Sequence, residues 1–285
     1  MSEKSIKSLH PALRDDIGDL LTQRPLPGPG IEQLDPFLFL NHHGPQTYPP
    51  GNRGLPFGPH PHRGFETVTF IIEGMLAHQD SAGHESVIRA GGVQWMTAGR
   101  GIIHAEVSPA EFRQRGGPLE ILQLWVNLPA RLKMSAPAYT GLQRGEIPAL
   151  DAAAGKATIN LIAGEYEGAH GPVQSLTGTF MSTIELRPGA QLRLGGLLAR
   201  NVFLYVVRGS LTVGPDAATA FHLAELSEQG DEVALASEHG ALLLFGHADP
   251  IGEPVFSHGP FVMNTREEIV VAINDFQAGR CGPAL

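Results

Sequence analysis

Residues 60–74 have the sequence HPHRGFETVTFIIEG, whose pattern is the strongest indication of the fold. It begins with the pair His60 and His62, continues into the run Glu66–Ile72, and closes at Gly74. The run is β-branched and aromatic, which favours a strand, and glycine readily adopts the backbone angles of a tight turn. The pattern therefore predicts a β-strand that ends in a turn and carries two imidazoles at its start.

Similar strand patterns recur along most of the chain. Short apolar, β-branched runs bounded by Gly, Pro, Asn or Asp are typical of strands joined by tight turns. The further predicted strands are Glu85–Ala90, Val93–Thr97, Glu120–Leu128, Phe180–Leu186, Val202–Val207, Leu211–Val213 and Ala241–Phe245. By contrast, Arg24–Pro61 is dense in proline and glycine, which excludes a helix and indicates extended chain and loops.

One helix is predicted, near the C-terminus. Thr265 and Glu268 form a capping-box pattern, in which each side chain satisfies a backbone N–H group at the helix start. Gly279 stands where a glycine that ends the helix is expected. The apolar residues between them recur at helical spacing and are Ile269, Ala272, Ile273 and Phe276.

Length and composition agree with an all-β protein of two domains. The 285 residues correspond to about two domains at roughly 150 residues each. The chain has 35 glycines, 23 prolines, 42% apolar residues and 17% charged residues, which excludes disorder, a long coiled coil and a helical bundle. We predict an N-terminal domain over residues 1–135 and a C-terminal domain over residues 136–285.

Charge and cysteine content restrict the partners and the compartment. Twenty basic and 29 acidic residues give a net charge of −9, which repels phosphate backbones and argues against direct nucleic-acid binding. Cys281 is the single cysteine, which excludes an internal disulfide and a thiolate metal site. The N-terminal segment lacks the apolar core of a signal peptide, and no run approaches 18 apolar residues. We expect a cytoplasmic monomer without a membrane partner.

An internal repeat suggests that the two domains are copies of one β-barrel. The segment FETVTFIIEGML (residues 65–76) aligns with ARNVFLYVVRGSL (residues 199–211), and this places Gly74 on Gly209. The segment GGVQWMTAG aligns with QGDEVALAS, and this places Gly92 on Gly230. Two strand–turn blocks at nearly constant offset indicate a duplicated architecture.

The histidines cluster in the first half of the chain, where seven of the 13 lie between His42 and His104. His60 and His62 form one i, i+2 pair, and His104 and Glu106 form another. Residues at i and i+2 of an extended chain point to the same face, about 6–7 Å apart. On facing strands of a small barrel, the two pairs would converge on one ion.

Three imidazoles and a carboxylate suit one divalent first-row ion, and iron(II), manganese, nickel, copper and zinc all fit. Positions left open for water or substrate would make that ion catalytic. Glu66 has the same parity as His60 and His62 and is a rival carboxylate ligand. Surface histidines in a loop are the alternative for either pair taken alone. In the second repeat the aligned positions carry no such ligand set: they are Gly195, Leu197, Asn201, Leu242 and Leu244. This indicates one metal site, in the N-terminal domain.

The residues quoted above resemble the pirin family, a branch of the cupins. HPHRGFETVTFIIEG and QWMTAGRGIIHAE (Gln94–Glu106) carry the resemblance. It extends through LDPFLFL, LQLWVNLP (Leu122–Pro129) and HGPFVMNTREEI (His258–Ile269), and so covers most of the chain from about residue 20. The resemblance implies a bicupin of two facing β-sandwich or jelly-roll barrels with a short C-terminal helix. It also implies one iron in the N-terminal barrel and a degenerate C-terminal barrel.

On the pirin pattern the metal ligands match His60, His62, His104 and Glu106, and Glu66 lies behind them. The implied activity is that of a quercetin 2,3-dioxygenase, which cleaves a planar flavonol with O2. Glu106 would then be the catalytic residue that takes the proton of the substrate 3-hydroxyl. The alternative that the family allows is a metal-bearing regulatory protein that binds a partner, for example as a transcriptional co-regulator or a modulator of an enzyme.

Aromatic and further histidine residues complete the expected site. The candidate pocket walls, for each of which core packing is the alternative, are Phe57, Phe65, Trp95, Met96 and Trp125. His78 and His84 fall in a polar hairpin and are predicted to lie at the surface, and the alternative for one of them is a position behind a metal ligand. The stretch NHHG departs at His43 from the family's DHFG-like pattern. The roles of His42, His43 and His258 stay open.

Overall fold

The computed structural model describes residues 2–285, and most of them form β-strands. The strands are β1 (Ile6–Pro11), β2 (Leu13–Arg14), β3 (Thr22–Leu26), β4 (Phe37–Tyr48), β5 (Phe57–His62), β6 (Phe65–Glu73), β7 (Met75–Asp80), β8 (Glu85–Arg89), β9 (Val93–Thr97), β10 (Ile102–Val107), β11 (Gly117–Asn127), β12 (Ala138–Leu142), β13 (Ala149–Ala152), β14 (Ala157–Ala163), β15 (Glu165–Tyr166), β16 (Ala169–His170), β17 (Phe180–Leu186), β18 (Ala190–Gly195), β19 (Asn201–Val213), β20 (Asp216–Thr219), β21 (His222–Leu226), β22 (Glu232–Ser237), β23 (Ala241–Ala248), β24 (Phe256–His258) and β25 (Phe261–Met263). The helices are α1 (Ala110–Arg115) and α2 (Arg266–Gln277), with single 3-10 turns at Ala130–Leu132, Arg144–Glu146 and Ala153–Gly155. The all-β prediction is confirmed.

The chain divides into two compact units that are discontinuous in sequence. The histidine unit comprises Arg14–Gln23, Phe37–Gly145 and Ile251–Leu285. The aliphatic unit comprises the residues up to Leu13 together with Arg24–Pro36 and Glu146–Pro250. These ranges differ from the predicted contiguous division at residue 135. The residues up to Leu13 belong to the aliphatic unit, and Ile251–Leu285 belong to the histidine unit. Strand β1 pairs with β21 of the aliphatic unit, and the backbone of Arg63 bonds to Pro260 and Val262 in the last segment of the histidine unit.

The histidine unit is a sandwich of two antiparallel sheets. One sheet has the strand order β12-β9-β6-β11-β4-β3-β2, and the other has the order β5-β10-β7-β8. Both contribute to one apolar cluster: Ile71 and Ile121 come from the first sheet, and Leu76 and Ile88 come from the second. Burying these side chains between the sheets is what holds the sandwich together.

The aliphatic unit repeats the strand pairing of the histidine unit. In the histidine unit β6 pairs with β9 and β11, and β5 pairs with β10. In the aliphatic unit β19 pairs with β21 and β23, and β18 pairs with β22. The counterpart of β10 is therefore β22, and the counterpart of β5 is β18. The duplicated architecture that the sequence repeat indicates is present in the strand pairing.

The second block of the internal repeat aligns β9 with β22, whereas the strand pairing makes β21 the counterpart of β9. It set Leu242 and Leu244, which lie on β23, against His104 and Glu106 of β10. The equivalent strands β18 and β22 instead present core residues, which are Leu192, Leu194, Val233 and Leu235. The conclusion that this barrel is filled with aliphatic side chains holds, but it rests on these residues.

The C-terminal helix forms as predicted. The Thr265 hydroxyl accepts the backbone N–H of Glu268 at 3.2 Å, and the Glu268 carboxylate accepts the backbone N–H of Thr265 at 3.0 Å. Ile269 and Ala272 are buried against β25, and Gly279 follows the helix with a φ of 73°. Among the described residues, no helix combines the length and apolar character that a bilayer crossing needs.

A buried histidine makes the aliphatic unit acid-sensitive. Burial, and then the charge of Arg200, lower the pKa of His247 to about 3, and its Nδ1 accepts the Arg200 Nε–H at 2.7 Å. The ring is therefore neutral in the folded protein, whereas it takes up a proton below about pH 6.5 when unfolded. The unfolded state binds more protons in this range, so the free energy of unfolding falls as the pH drops from about 6.5 towards 3.

The variant His247→Gln should remove this contribution. The variant is less stable than the parent at pH 7, and the gap in unfolding free energy is expected to narrow towards pH 4 by at most about 1.4 kcal/mol per pH unit. Urea denaturation of both proteins at several pH values measures the gap. A gap that stays constant between pH 7 and pH 4 would contradict a neutral buried His247.

Candidate metal centre

Three histidines of the paired strands β5 and β10 converge. His60 and His104 are directly opposite each other in the register, so their side chains share a face. Nε2 of His60 lies 3.0 Å from Nε2 of His104 and 3.1 Å from Nε2 of His62. In the part of the chain that the structure describes, these three form the one group of ligand atoms all within 4.8 Å of one another.

The spacing of these nitrogens fits a metal ion. Two nitrogens held at right angles about 2.1 Å from one ion lie about 3.0 Å apart, which matches both Nε2 distances. Nδ1 of His60 donates to the carbonyl of Gly58 at 2.7 Å, so Nε2 of the neutral ring carries the lone pair. Three converging imidazoles with Nε2 turned inward are a donor set for a divalent first-row ion.

Burial keeps these imidazoles neutral. It lowers the pKa of His62 to about 3, and His60 adds to the effect. Burial likewise lowers the pKa of His104 well below its usual value, and it lowers that of His60, which is half-buried. Neutral rings are the form that binds a metal, so protons do not compete for the triad near neutral pH.

Glu106 lies beside the triad but outside its group of nitrogens. Its Oε1 accepts the Thr69 hydroxyl at 2.7 Å, and its Oε2 accepts the Gln123 amide at 2.6 Å. Burial raises the pKa of Glu106 to about 7, and the two hydrogen bonds oppose that rise. The structure therefore brings together three of the four predicted ligands. The fourth, Glu106, is on the same strand as His104, and both of its oxygens accept hydrogen bonds from Thr69 and Gln123.

Glu66 points away from the triad, so the parity argument that made it a rival ligand is wrong. Gly64, with a φ of 90°, turns the chain between β5 and β6 and interrupts the alternation of faces. Thr69 reaches Glu106 inside the sandwich, and Glu66 is three residues earlier on the same strand, which places it on the opposite face. There its carboxylate accepts the Thr97 hydroxyl at 2.6 Å.

The residues predicted to line the pocket lie on both faces of the seven-stranded sheet, and only some of them are near the triad. The rings of Phe65 and Trp125 lie 5.0 and 5.4 Å from that of His62, and Phe39 stacks on Trp125 at 4.7 Å. Trp95 pairs with Val68, on the face of the sheet that carries Glu66, so it does not line the site.

The other two predicted walls lie in packed surroundings. Phe57 lies 5.3 Å from the ring of His43. Met96 packs in a cluster with Ala98, Ile102 and Tyr139.

The histidines whose roles were open have structural partners or face the surface. His42 forms a fully buried pair with Glu120 at 2.9 Å. Nδ1 of His43 bonds to the Thr22 hydroxyl at 2.8 Å, so the departure from the family pattern is accommodated in the core. His258 is exposed.

The surface prediction for His78 is wrong. This side chain is buried, and its ring lies 5.5 Å from that of His104. Asp80 accepts from Nε2 of His78 at 3.1 Å and also contacts Nδ1 of His84, whose side chain is 43% exposed. Asp80 is a buried carboxylate that was not among the predicted site residues, although the alternation of faces along β7 puts His78 and Asp80 on one face.

A histidine triad on one of the two sheets of a duplicated β-sandwich is a candidate metal centre of the cupin type. Family models agree with that class: the pirin model matches residues 20–126, and the pirin C-terminal cupin domain matches residues 181–282. The chain belongs to the pirin family, and its fold is the bicupin fold.

Relatives cover almost the whole chain. A pirin-like protein of Caulobacter vibrioides is 41% identical over 268 residues, which are 93% of this chain and 94% of that protein. Human pirin is 38% identical over 270 residues, 91% of this chain and 87% of that one. The crystal structure of a quercetin 2,3-dioxygenase from Acinetobacter baumannii superposes with a TM-score of 0.92 at 34% identity and covers 99% of both chains.

Proposed function

We propose that the protein is a pirin-like, metal-dependent dioxygenase that cleaves a flavonol such as quercetin with O2 at one iron(II) site. The observation that carries the proposal is the triad of His60, His62 and His104, whose ligand nitrogens all lie within 4.8 Å of one another. The buried Glu106 follows His104 by two residues on the same strand. The likeness to a quercetin 2,3-dioxygenase over 99% of the chain supports the reaction class. Manganese, nickel, copper and zinc suit the same donors.

Metal binding and proton transfer are assigned to specific residues. His60, His62 and His104 would hold the ion, and Glu106 would supply the fourth protein ligand. When bound, the ion supplies the positive charge that lowers the pKa of the substrate 3-hydroxyl. The carboxylate of Glu106 accepts that hydroxyl proton, because each oxygen keeps a lone pair beyond its bond to Thr69 or Gln123.

An aromatic platform beside His62 suits a planar substrate. Phe39 and Trp125 are stacked and only partly buried, unlike the fully buried Phe65 behind them. Their position next to a metal ligand lets a flat ring stack there while its oxygens point toward the triad. Offset stacking of aromatic rings contributes about 0.5–1.5 kcal/mol beyond burial.

The decisive experiment is anaerobic reconstitution with iron(II), followed by addition of quercetin and O2 and measurement of the flavonol absorbance. We expect the absorbance to decay in a metal-dependent manner. Full occupancy with iron, manganese, nickel or copper, but no quercetin consumption with any of them, would contradict the proposal. That result would favour the regulatory alternative, in which the ion serves a partner-binding protein.

Substitutions in the platform should weaken substrate binding. Phe39→Leu and Trp125→Leu keep an apolar side chain but lose the ring face, and each is expected to raise the Kd for quercetin about 2–10-fold. Anaerobic calorimetry on the metal-loaded protein measures this affinity. Trp95→Phe is the control, because Trp95 lies on the other face of the sheet. Unchanged affinity in both leucine variants would argue against stacking at this position.

A further inference from the structure

The carboxylate of Glu106 connects the two sheets of the histidine unit. Glu106 lies on β10 of the four-stranded sheet, whereas Thr69 and Gln123 lie on β6 and β11 of the seven-stranded sheet. Thr69 and Gln123 are directly opposite each other in the β6–β11 register, so their side chains emerge next to each other on one face. One donor bonds to each carboxylate oxygen, at 2.7 and 2.6 Å.

Two donors on two different oxygens fix the plane of a carboxylate. A single hydrogen bond would leave the group free to rotate about its last bond, whereas the pair of donors removes that freedom. An ionised carboxylate accepts about four hydrogen bonds or ligand contacts, so each oxygen still has one lone pair to offer. The direction of these remaining lone pairs is therefore determined by Thr69 and Gln123. Glu106 itself is fully buried, and its surroundings leave it no solvent to turn toward.

We propose that Thr69 and Gln123 are positioning residues, which aim the carboxylate of Glu106 at the triad and so determine whether the ion receives a fourth protein ligand. The inference rests on the proposed function, because it assigns Glu106 to the metal centre. Neither residue contacts the triad nitrogens in the hydrogen-bond network, and both act through Glu106. Loss of either donor leaves a buried oxygen unpaired, and the carboxylate turns away from the ion.

Cobalt(II) binding tests the proposal without any turnover. The visible absorption of Co²⁺ reports its coordination number, and titration followed at the same bands gives the affinity. Thr69→Val, which keeps the shape but removes the hydroxyl, is expected to shift the spectrum in the same direction as Glu106→Ala and to weaken binding about 10–100-fold. Gln123→Leu should do the same, whereas Thr69→Ser should restore the parent spectrum.

A double-mutant cycle separates positioning from general destabilisation. In the Glu106→Ala background, Thr69→Val is expected to cause no further change in Co²⁺ affinity or spectrum, because the group it positions is gone. The matched control is Thr67→Val, since Thr67 is a buried threonine on the same face of β6 but has no bond to Glu106. It should leave the cobalt spectrum unchanged in both backgrounds.

The proposal is overturned if Thr69→Val and Gln123→Leu bind cobalt as the parent does, or if the effect of Thr69→Val is the same with and without Glu106. If Thr69→Val fails to fold, Gln123→Leu in the two backgrounds supplies the same cycle. Failure of the dioxygenase proposal is distinguishable from failure of this one. The first would appear as a lack of flavonol consumption, whereas the cobalt measurements alone test the role of Thr69 and Gln123.

Discussion

Replacing His62 by alanine is expected to abolish metal binding and, with it, flavonol turnover. Nε2 of His62 lies 3.1 Å from that of His60, and the ring is buried against Phe65 and Trp125. Its loss removes one of the three converging donors. The affinity for the metal should drop by more than about 10–100-fold, which is the usual cost of losing a residue that hydrogen-bonds to a metal ligand. Metal analysis after dialysis and the quercetin absorbance assay measure both effects.

The control for this prediction is Asn201→Ala in the aliphatic unit. In the sequence alignment Asn201 falls on the position of Glu66, and in the structure its amide donates to the carbonyl of Asp35 at 2.6 Å. We expect this variant to retain both the metal and the activity. If Asn201→Ala also removed the metal, a single site in the histidine unit would be the wrong interpretation.

Replacing Glu106 by glutamine is expected to lower turnover by about 10²–10⁴-fold, the usual contribution of a positioned general base. Glutamine keeps the shape of the side chain but cannot accept the proton of the substrate hydroxyl. The three imidazoles remain, so the variant should still bind a metal ion, with reduced affinity. Steady-state kinetics of fully metal-loaded protein separate the loss in kcat from incomplete loading.

Glu66→Gln is the matched control for Glu106→Gln. Both glutamates are buried and both accept a threonine hydroxyl, from Thr97 and Thr69 respectively. Glu106 extends from the four-stranded sheet toward Thr69 and Gln123 inside the sandwich, whereas Glu66 lies on the opposite face of the seven-stranded sheet. Glu66→Gln should therefore retain turnover close to that of the parent. Equal losses of kcat in the two variants would contradict the assignment of Glu106 as the proton acceptor.

The candidate site was predictable wherever its residues are neighbours in sequence. An i, i+2 spacing in extended chain is a local property, so His60 and His62 could be paired from the sequence alone. The pairing of His104 with His60 across two strands needed the added assumption that the strands face each other, and the register now supplies it. Thr69 and Gln123 gave no such signal, because the two residues meet Glu106 only across the sandwich.

Glu66 shows where local spacing misleads. Counting alternate residues through positions 60–66 assumes an unbroken strand, but the turn at Gly64 separates β5 from β6 and reverses the parity. His78 shows the complementary error. Its polar neighbours suggest a surface hairpin, yet the β7–β10 pairing sets it opposite Glu106 inside the sandwich.

Strand propensity, helix capping and long motifs are encoded in contiguous residues, so the all-β class, the capped C-terminal helix, the duplicated barrel and the family could be predicted from them. The residues that make up each unit, the glutamate that lies inside the sandwich and the side chains that bond to it became evident only from the folded chain. These depend on strand register and on the return of residues 251–285 to the histidine unit. Register and chain return are set by the burial of both sheet faces at once, which no single segment of the sequence specifies.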